Sequence, residues 1–212
     1  MSRLLIKCLA AVTLALVAAT ASLTAAAHDQ RPAKVGDVDL ELIGQVINSA
    51  PGVTPATSAQ YGFVSQLDDV AGWPSESAAP LTFYTDTTTK SVVSNGPLRI
   101  LSRTGQLTIY HDPSANGSFA NPDSFRDGSP VLTATLRQQV ILNTLTGAFT
   151  AHNVNTITSQ SPFALGADRL VLGRVGGRFQ TVISGQATTA APPSAHIAGY
   201  TFSTRSGRDI EH

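Results

Sequence analysis

The residues best equipped for chemistry gather in one stretch, IYHDPSANGSFANPDSFRDGSPV at 109–131, which sets a histidine beside an aspartate and adds two more aspartates downstream. His111 next to Asp112 is the pairing of a general base or a metal-bound imidazole, because a carboxylate orients the ring and favours its charged form. His152, in a strand-like run that can pair nearby, would be the third member of such a catalytic or zinc site. Asp112, Asp123 and Asp127 are the only local cluster of oxygen ligands, and they make the stretch a weak Ca²⁺ candidate. A calcium loop, however, needs acids at alternate positions, then glycine, then a closing glutamate. Here the acids are spread out, with Pro113 and Pro122 between them.

A turn explains the same residues more economically. Asp112-Pro113 and Asn121-Pro122 start turns, Asn116-Gly117 and Asp127-Gly128 suit positive φ, and Phe119 and Phe125 can pin the loop to the body. The expectation is a fastened turn, with no metal and no cofactor. No G-x-S-x-G elbow and no H-E-x-x-H helix occurs to support a hydrolase. Two residues bear on binding. Trp73, the only tryptophan, lies in the polar segment DDVAGWPSES, where it either caps one end of the fold or anchors a ligand. Arg137, beside Gln138 and Gln139, meets an anionic or oxygen-rich ligand if its face points inward and is simply solvated if it points out. Leu136 and Val140 supply a core face on the other side, which favours the outward placement.

Composition narrows the remaining classes. Arg3 and Lys7 precede an apolar run at 8–19, and Ala25-Ala26-Ala27 then offers the small residues of a cleavage site. This is the pattern of a Sec-type signal peptide at 1–27, too short in its apolar part for a membrane span, so the product is secreted or periplasmic. Both sulfur residues, Met1 and Cys8, leave with the signal, which removes disulfides, thiolate chemistry and soft metal ligands. Of 14 basic and 14 acidic side chains, Arg3 and Lys7 also leave, so 12 face 14 and the balance becomes −2. That gives no support for nucleic-acid binding.

Past a flexible segment at 28–36, the chain reads as one domain at 37–205 with a polar tail at 206–212. Short runs rich in Val, Ile, Thr, Phe and Tyr predict strands near 38–47, 58–67, 81–86, 97–102, 106–111, 131–143, 147–158, 168–173, 178–187 and 197–204. The pattern is clearest in 131–143, where Leu132, Ala134, Leu136, Val140 and Leu142 share a face opposite Thr133, Thr135, Arg137 and Gln139. In 147–158, Phe149, Ala151, Asn153, Asn155 and Ile157 oppose Ala148, Thr150, His152, Val154 and Thr156. Polar residues on both faces suit an edge strand, or else a wet interior. Asn143 to Gly147 is the hairpin turn between the two, Gly147 taking a positive φ.

The fold class expected is therefore all-β, an antiparallel barrel of about eight to ten strands, with a two-sheet sandwich as the alternative. A signal followed by a cysteine-free β-rich domain with a long central hairpin resembles, in layout, the secreted barrels of the allene oxide cyclase, dirigent and lipocalin groups. No functional residue carries across from a likeness of layout. The functional expectation is an exported, non-catalytic protein that binds a small apolar ligand or an envelope protein. The alternative is a cofactor-free barrel cyclase or isomerase.

Overall fold

A computed structural model describes residues 34–68, 70–189 and 194–203. The signal segment and the 206–212 tail lie outside them. Eight antiparallel strands form a closed barrel in the order β2 (Leu40–Asn48), β3 (Thr57–Leu67), β5 (Leu81–Asn95), β6 (Leu98–His111), β7 (Ser129–Asn143), β8 (Ala148–Gln160), β11 (Arg178–Ala187) and β12 (Ala195–Ser203), with β12 returning to β2. The short β4 (Ala71–Gly72) adds to β3. A separate three-stranded sheet is built from β1 (Lys34–Gly36), β9 (Phe163–Leu165) and β10 (Asp168–Leu172), with β1 parallel to β10. The sandwich alternative is thereby set aside: every barrel strand has a partner on both sides.

Alternation assigns the two faces. In β7 the buried positions are Leu132, Ala134, Leu136, Gln138 and Val140, interleaved with exposed Thr135, Arg137 and Gln139. The face expected to be apolar is the interior one, but Gln138 stands in the middle of it. β8 is no edge strand: it pairs with β7 along one side and β11 along the other, and its interior face carries Ala151, Asn153, Asn155 and Ile157. The polar residues there face the interior, and His152 points out.

An eight-stranded barrel is just wide enough for its own side chains or for one small ligand. Here the two ends differ. Toward the end where β8 leaves and β11 enters, Leu40, Phe83, Ile109, Leu132 and Phe179 fill the interior, and Phe163, Leu170 and Leu172 of the small sheet join the same core cluster as a plug. Toward the other end the inward positions include Ala151, Gly185, Ala187 and Ala195, and space is left.

The β2–β3 seam is held by a pair of facing glycines, Gly44 opposite Gly62. A Cβ on Gly62 would lie 2.1 Å from Ile43 O and 2.6 Å from Gly44 Cα, both backbone atoms that cannot swing aside. Gly62→Val is therefore expected to cost about 3 kcal/mol or more by prising the seam open, a fall in melting temperature of about 10 °C for a domain this size. Gly72→Ala, whose new methyl would meet only Ser65 O at 3.6 Å, should melt close to the parent. Thermal unfolding of the two variants side by side checks the contrast, and equal melting temperatures would refute it.

Candidate functional site

Between β6 and β7, residues 112–128 of the 109–131 stretch do not enter the barrel. They cross the outside of the β3–β5 wall, where Tyr61, Phe63 and Tyr84 point outward and would otherwise be wet. Phe119 and Phe125 cover them: their ring centroids lie 5.1 Å apart, and Phe125 stands 5.6 Å from Tyr61. Phe125 is in a single 3₁₀ turn (Pro122–Phe125), completely buried, and its carbonyl accepts a hydrogen bond from Thr82 Oγ1 at 3.0 Å. Arg126 lays its guanidinium 4.6 Å above the Tyr84 ring and pairs with Asp123. This covering makes β3 buried on both faces.

Each acid of the stretch has its own protein partner. Asp112 Oδ1 accepts from the backbone and hydroxyl of Ser114, and Oδ2 accepts from Asn116 N at 3.2 Å. Burial alone would raise its carboxyl pKa, but these hydrogen bonds to the charged form outweigh burial and hold it below the ordinary aspartate value. Asp123 serves Arg126, and Asp127 accepts from Asn116 Nδ2 at 3.2 Å. Among the described residues no group of three or more His, Cys, Asp or Glu side chains is placed to hold a metal ion. Gly117 and Gly128 are not at positive φ, contrary to expectation. A Cβ there would meet Glu76 O and His111 O respectively, each at 2.8 Å, so close backbone approach is what requires glycine. The positive φ falls instead on Ala115, at 47°, while Gly147 takes one, 73°, as its hairpin demands.

The histidines are not brought together. His111 ends β6 with its ring 5.2 Å from Phe163, and burial pushes its imidazole pKa down against the opposing pull of Asp112. His152 lies on the outer face opposite Gln139, which in turn faces Ser102 of β6. His111 lies nine residue steps along β6 from Ser102, or about 30 Å of strand. Trp73 is partly buried against both hydrophobic clusters, as a packing residue on the barrel wall. Arg137 is exposed on the outer face, in a groove of about 400 Å³ that Lys90, Arg103, Gln138 and His152 also line.

A more apolar concavity lies in the open end of the barrel. A cavity of about 250 Å³ is walled by Val46, Leu101, Val140, Phe149, Ile183 and Ile197. Its polar lining is Asn48, Gln60, Arg99, Arg103 and Ser194. Gly185 explains part of the room, because Phe149 occupies the space its Cβ would take, with ring carbons at 2.2–2.7 Å. Arg103 is the inward residue of β6 next to Leu101, and burial lowers its pKa. From it a row of inward polar residues crosses the strands in register: Thr89, Arg103, Gln138, Asn153, Thr181 and Thr201. Both polar atoms of Gln138 and the Oδ1 atoms of Asn153 and Asn155 are buried without a hydrogen-bonding partner in the protein. Asn155 Nδ2, by contrast, donates to Thr181 Oγ1 at 2.9 Å.

Sequence reasoning missed Arg103 and chose Arg137. The signal that could have found it is parity, since Leu101, Arg103, Gly105, Leu107 and Ile109 share one face once 98–111 is taken as a single strand. In comparisons with known proteins, no family model, no curated protein and no solved structure matches this chain.

If the 109–131 stretch is a fastened turn, its stability rests on Asp112 and not on its other acids. Asp112→Asn, which puts a donor where donors already point, should cost about 1–2 kcal/mol at pH 7. Because the folded carboxyl pKa is depressed, that contribution is present above the unfolded value of about 3.9 and is lost as pH falls through the folded one. The gap between parent and variant should therefore close below about pH 4. Asp127→Asn should cost less than about 0.5 kcal/mol. Urea unfolding at several pH values, with and without Ca²⁺, checks this. Equal losses in both variants together with calcium-dependent stability would instead mark a metal loop.

Proposed function

We propose that this protein is an exported, non-catalytic binding protein that holds a small, largely apolar molecule in the open end of its barrel. The observation that carries the reading is the cavity of about 250 Å³, walled by aliphatic side chains and Phe149 with a few polar groups converging on it. That composition is the usual one for small-molecule sites, and the volume, just below their usual range of about 300–1,000 Å³, calls for a compact ligand. Its lining contains no carboxylate, histidine, lysine or tyrosine among the described residues. Proton transfer near neutral pH has no donor or acceptor of matched pKa there, which favours binding over the cyclase or isomerase alternative. The signal pattern at 1–27 supports export, and no helix among the described residues is long and apolar enough to cross a membrane.

Native mass spectrometry of protein purified from its own host should reveal a co-purifying small molecule. Ala151→Phe, which places a ring among Val140, Phe149 and Ile183, should remove that adduct while the fold is kept. An adduct that persists in the filled variant would place the ligand elsewhere, and a bare protein that takes up no apolar probe would sink the reading.

A further inference from the structure

We infer that the cavity selects a monoanionic amphiphile, a carboxylate carried on a short apolar tail, whose head group is bound by Arg103 beneath an apolar collar; this rests on the cavity-binding reading above. Arg103 points into the barrel between Leu101 and Gly105. Its one hydrogen bond is from Nε to Thr89 Oγ1 at 3.3 Å. That leaves the Nη groups of the fork, four N–H donors, without a protein partner among the described residues. Among the described residues the sole ion pair joins Arg126 to Asp123 on the outer wall, so no described carboxylate neutralises Arg103. A guanidinium keeps its proton at any physiological pH, and a charge taken out of water is retained only where something of opposite sign or ample hydrogen bonding meets it.

The neighbours fit the same head group. Gln138 is directly opposite Arg103, which puts the two Cβ atoms about 5 Å apart. Gln138 is 3% exposed and lies behind the cavity lining, and its unpartnered amide leaves a donor beside the arginine. A carboxylate accepts up to about four hydrogen bonds and matches the arginine fork bidentately. Above this row, Leu101, Val140, Phe149, Ile183 and Ile197 form a collar that a hydrocarbon tail can fill. A dianion such as a phosphate monoester would need more positive charge than one inward arginine, and Arg99, which also lines the cavity, is exposed at its rim. Among the described residues nothing acidic lines the cavity to repel the ligand.

Isothermal titration of the purified protein with octanoate and with 1-octanol at pH 7 separates head from tail. Octanoate should bind at least about tenfold more tightly, equivalent to 1.4 kcal/mol. Arg103→Met keeps an apolar stem and should bring octanoate down to the octanol level, while Arg137→Gln on the outer face should leave the preference intact. Arg103→Lys, a point charge without the fork, should retain part of it. If the methionine variant does not fold, the Arg103 Nε–H resonance of the parent supplies the readout: it should shift with octanoate and stay with octanol. Equal binding of the two probes by the parent overturns the head-group assignment and leaves the cavity reading standing. Failure of both to bind overturns both. A preference that survives in folded Arg103→Met overturns the role of this arginine.

Discussion

Closure is the constraint from which the rest follows. Once eight strands join edge to edge, the diameter is fixed, and composition alone decides whether the interior is filled or hollow. Closure also gives every barrel strand a partner on both sides, so the barrel itself needs no other device to protect an edge. It asks for close strand contact where the sheet bends, and this chain answers with small residues. Gly44 faces Gly62 across β2–β3, and Gly105 brings β6 so near β5 that a Cβ would fall 1.9 Å from Asp86 O. The large side chains crowd one end and the alanines and glycines the other. The cavity is thus a consequence of where bulk is placed, with the barrel diameter held constant.

The outer surface is treated unevenly for a related reason. A barrel wall normally alternates apolar inside with polar outside, but β3 carries Tyr61 and Phe63 outward. Burying those rings requires a second layer, and residues 112–130 provide it through Phe119 and Phe125. The density of Asp, Asn, Gly and Pro in that segment is the cost of folding a long non-repetitive loop flat against a wall. Each turn needs a side-chain acceptor or a residue that allows close approach, and Asp112 gathers three such donors by itself. Residues that resemble a reactive constellation in one dimension are, in three, the fastenings of a cover.

This explains what could be read from the sequence and what could not. The long alternating run at 129–143 announced its faces because leucines and valines recur at every second position, and the burial pattern follows them. The strand at 98–111 was read as two pieces, 97–102 and 106–111, because Arg103-Thr104-Gly105 looks like a break. A polar side chain and a glycine are what a cavity wall and a tight cross-strand approach require, and both depress a strand signal. The second half of β5, with the sequence TTTKSVVSN at 87–95, escaped for a different reason: its outer residues are exposed on both sides and carry no periodicity. So the same local irregularity hid the strand and its most informative residue together. Arg137 drew notice instead because it interrupts a clean pattern, but it interrupts it on the side where charge costs nothing.

The cost on the inner side is the last step. Gln138 replaces an aliphatic residue in a face otherwise made of Leu132, Ala134, Leu136 and Val140, and an unpartnered buried amide costs about 1–3 kcal/mol. Asn153 and Asn155 add further unpartnered oxygens on the neighbouring strand, and Arg103 adds a charge. An all-aliphatic interior would fold the same barrel with greater stability, as replacement of buried polar clusters by apolar residues commonly does. Stability therefore does not account for these residues, and neither does closure, which the glycines already secure. Their alignment in one register, from Thr89 to Thr201, places polar atoms across six consecutive strands beneath an apolar collar. A row so placed gives the interior a polar floor and an apolar wall, and that difference in depth can orient a guest molecule head first.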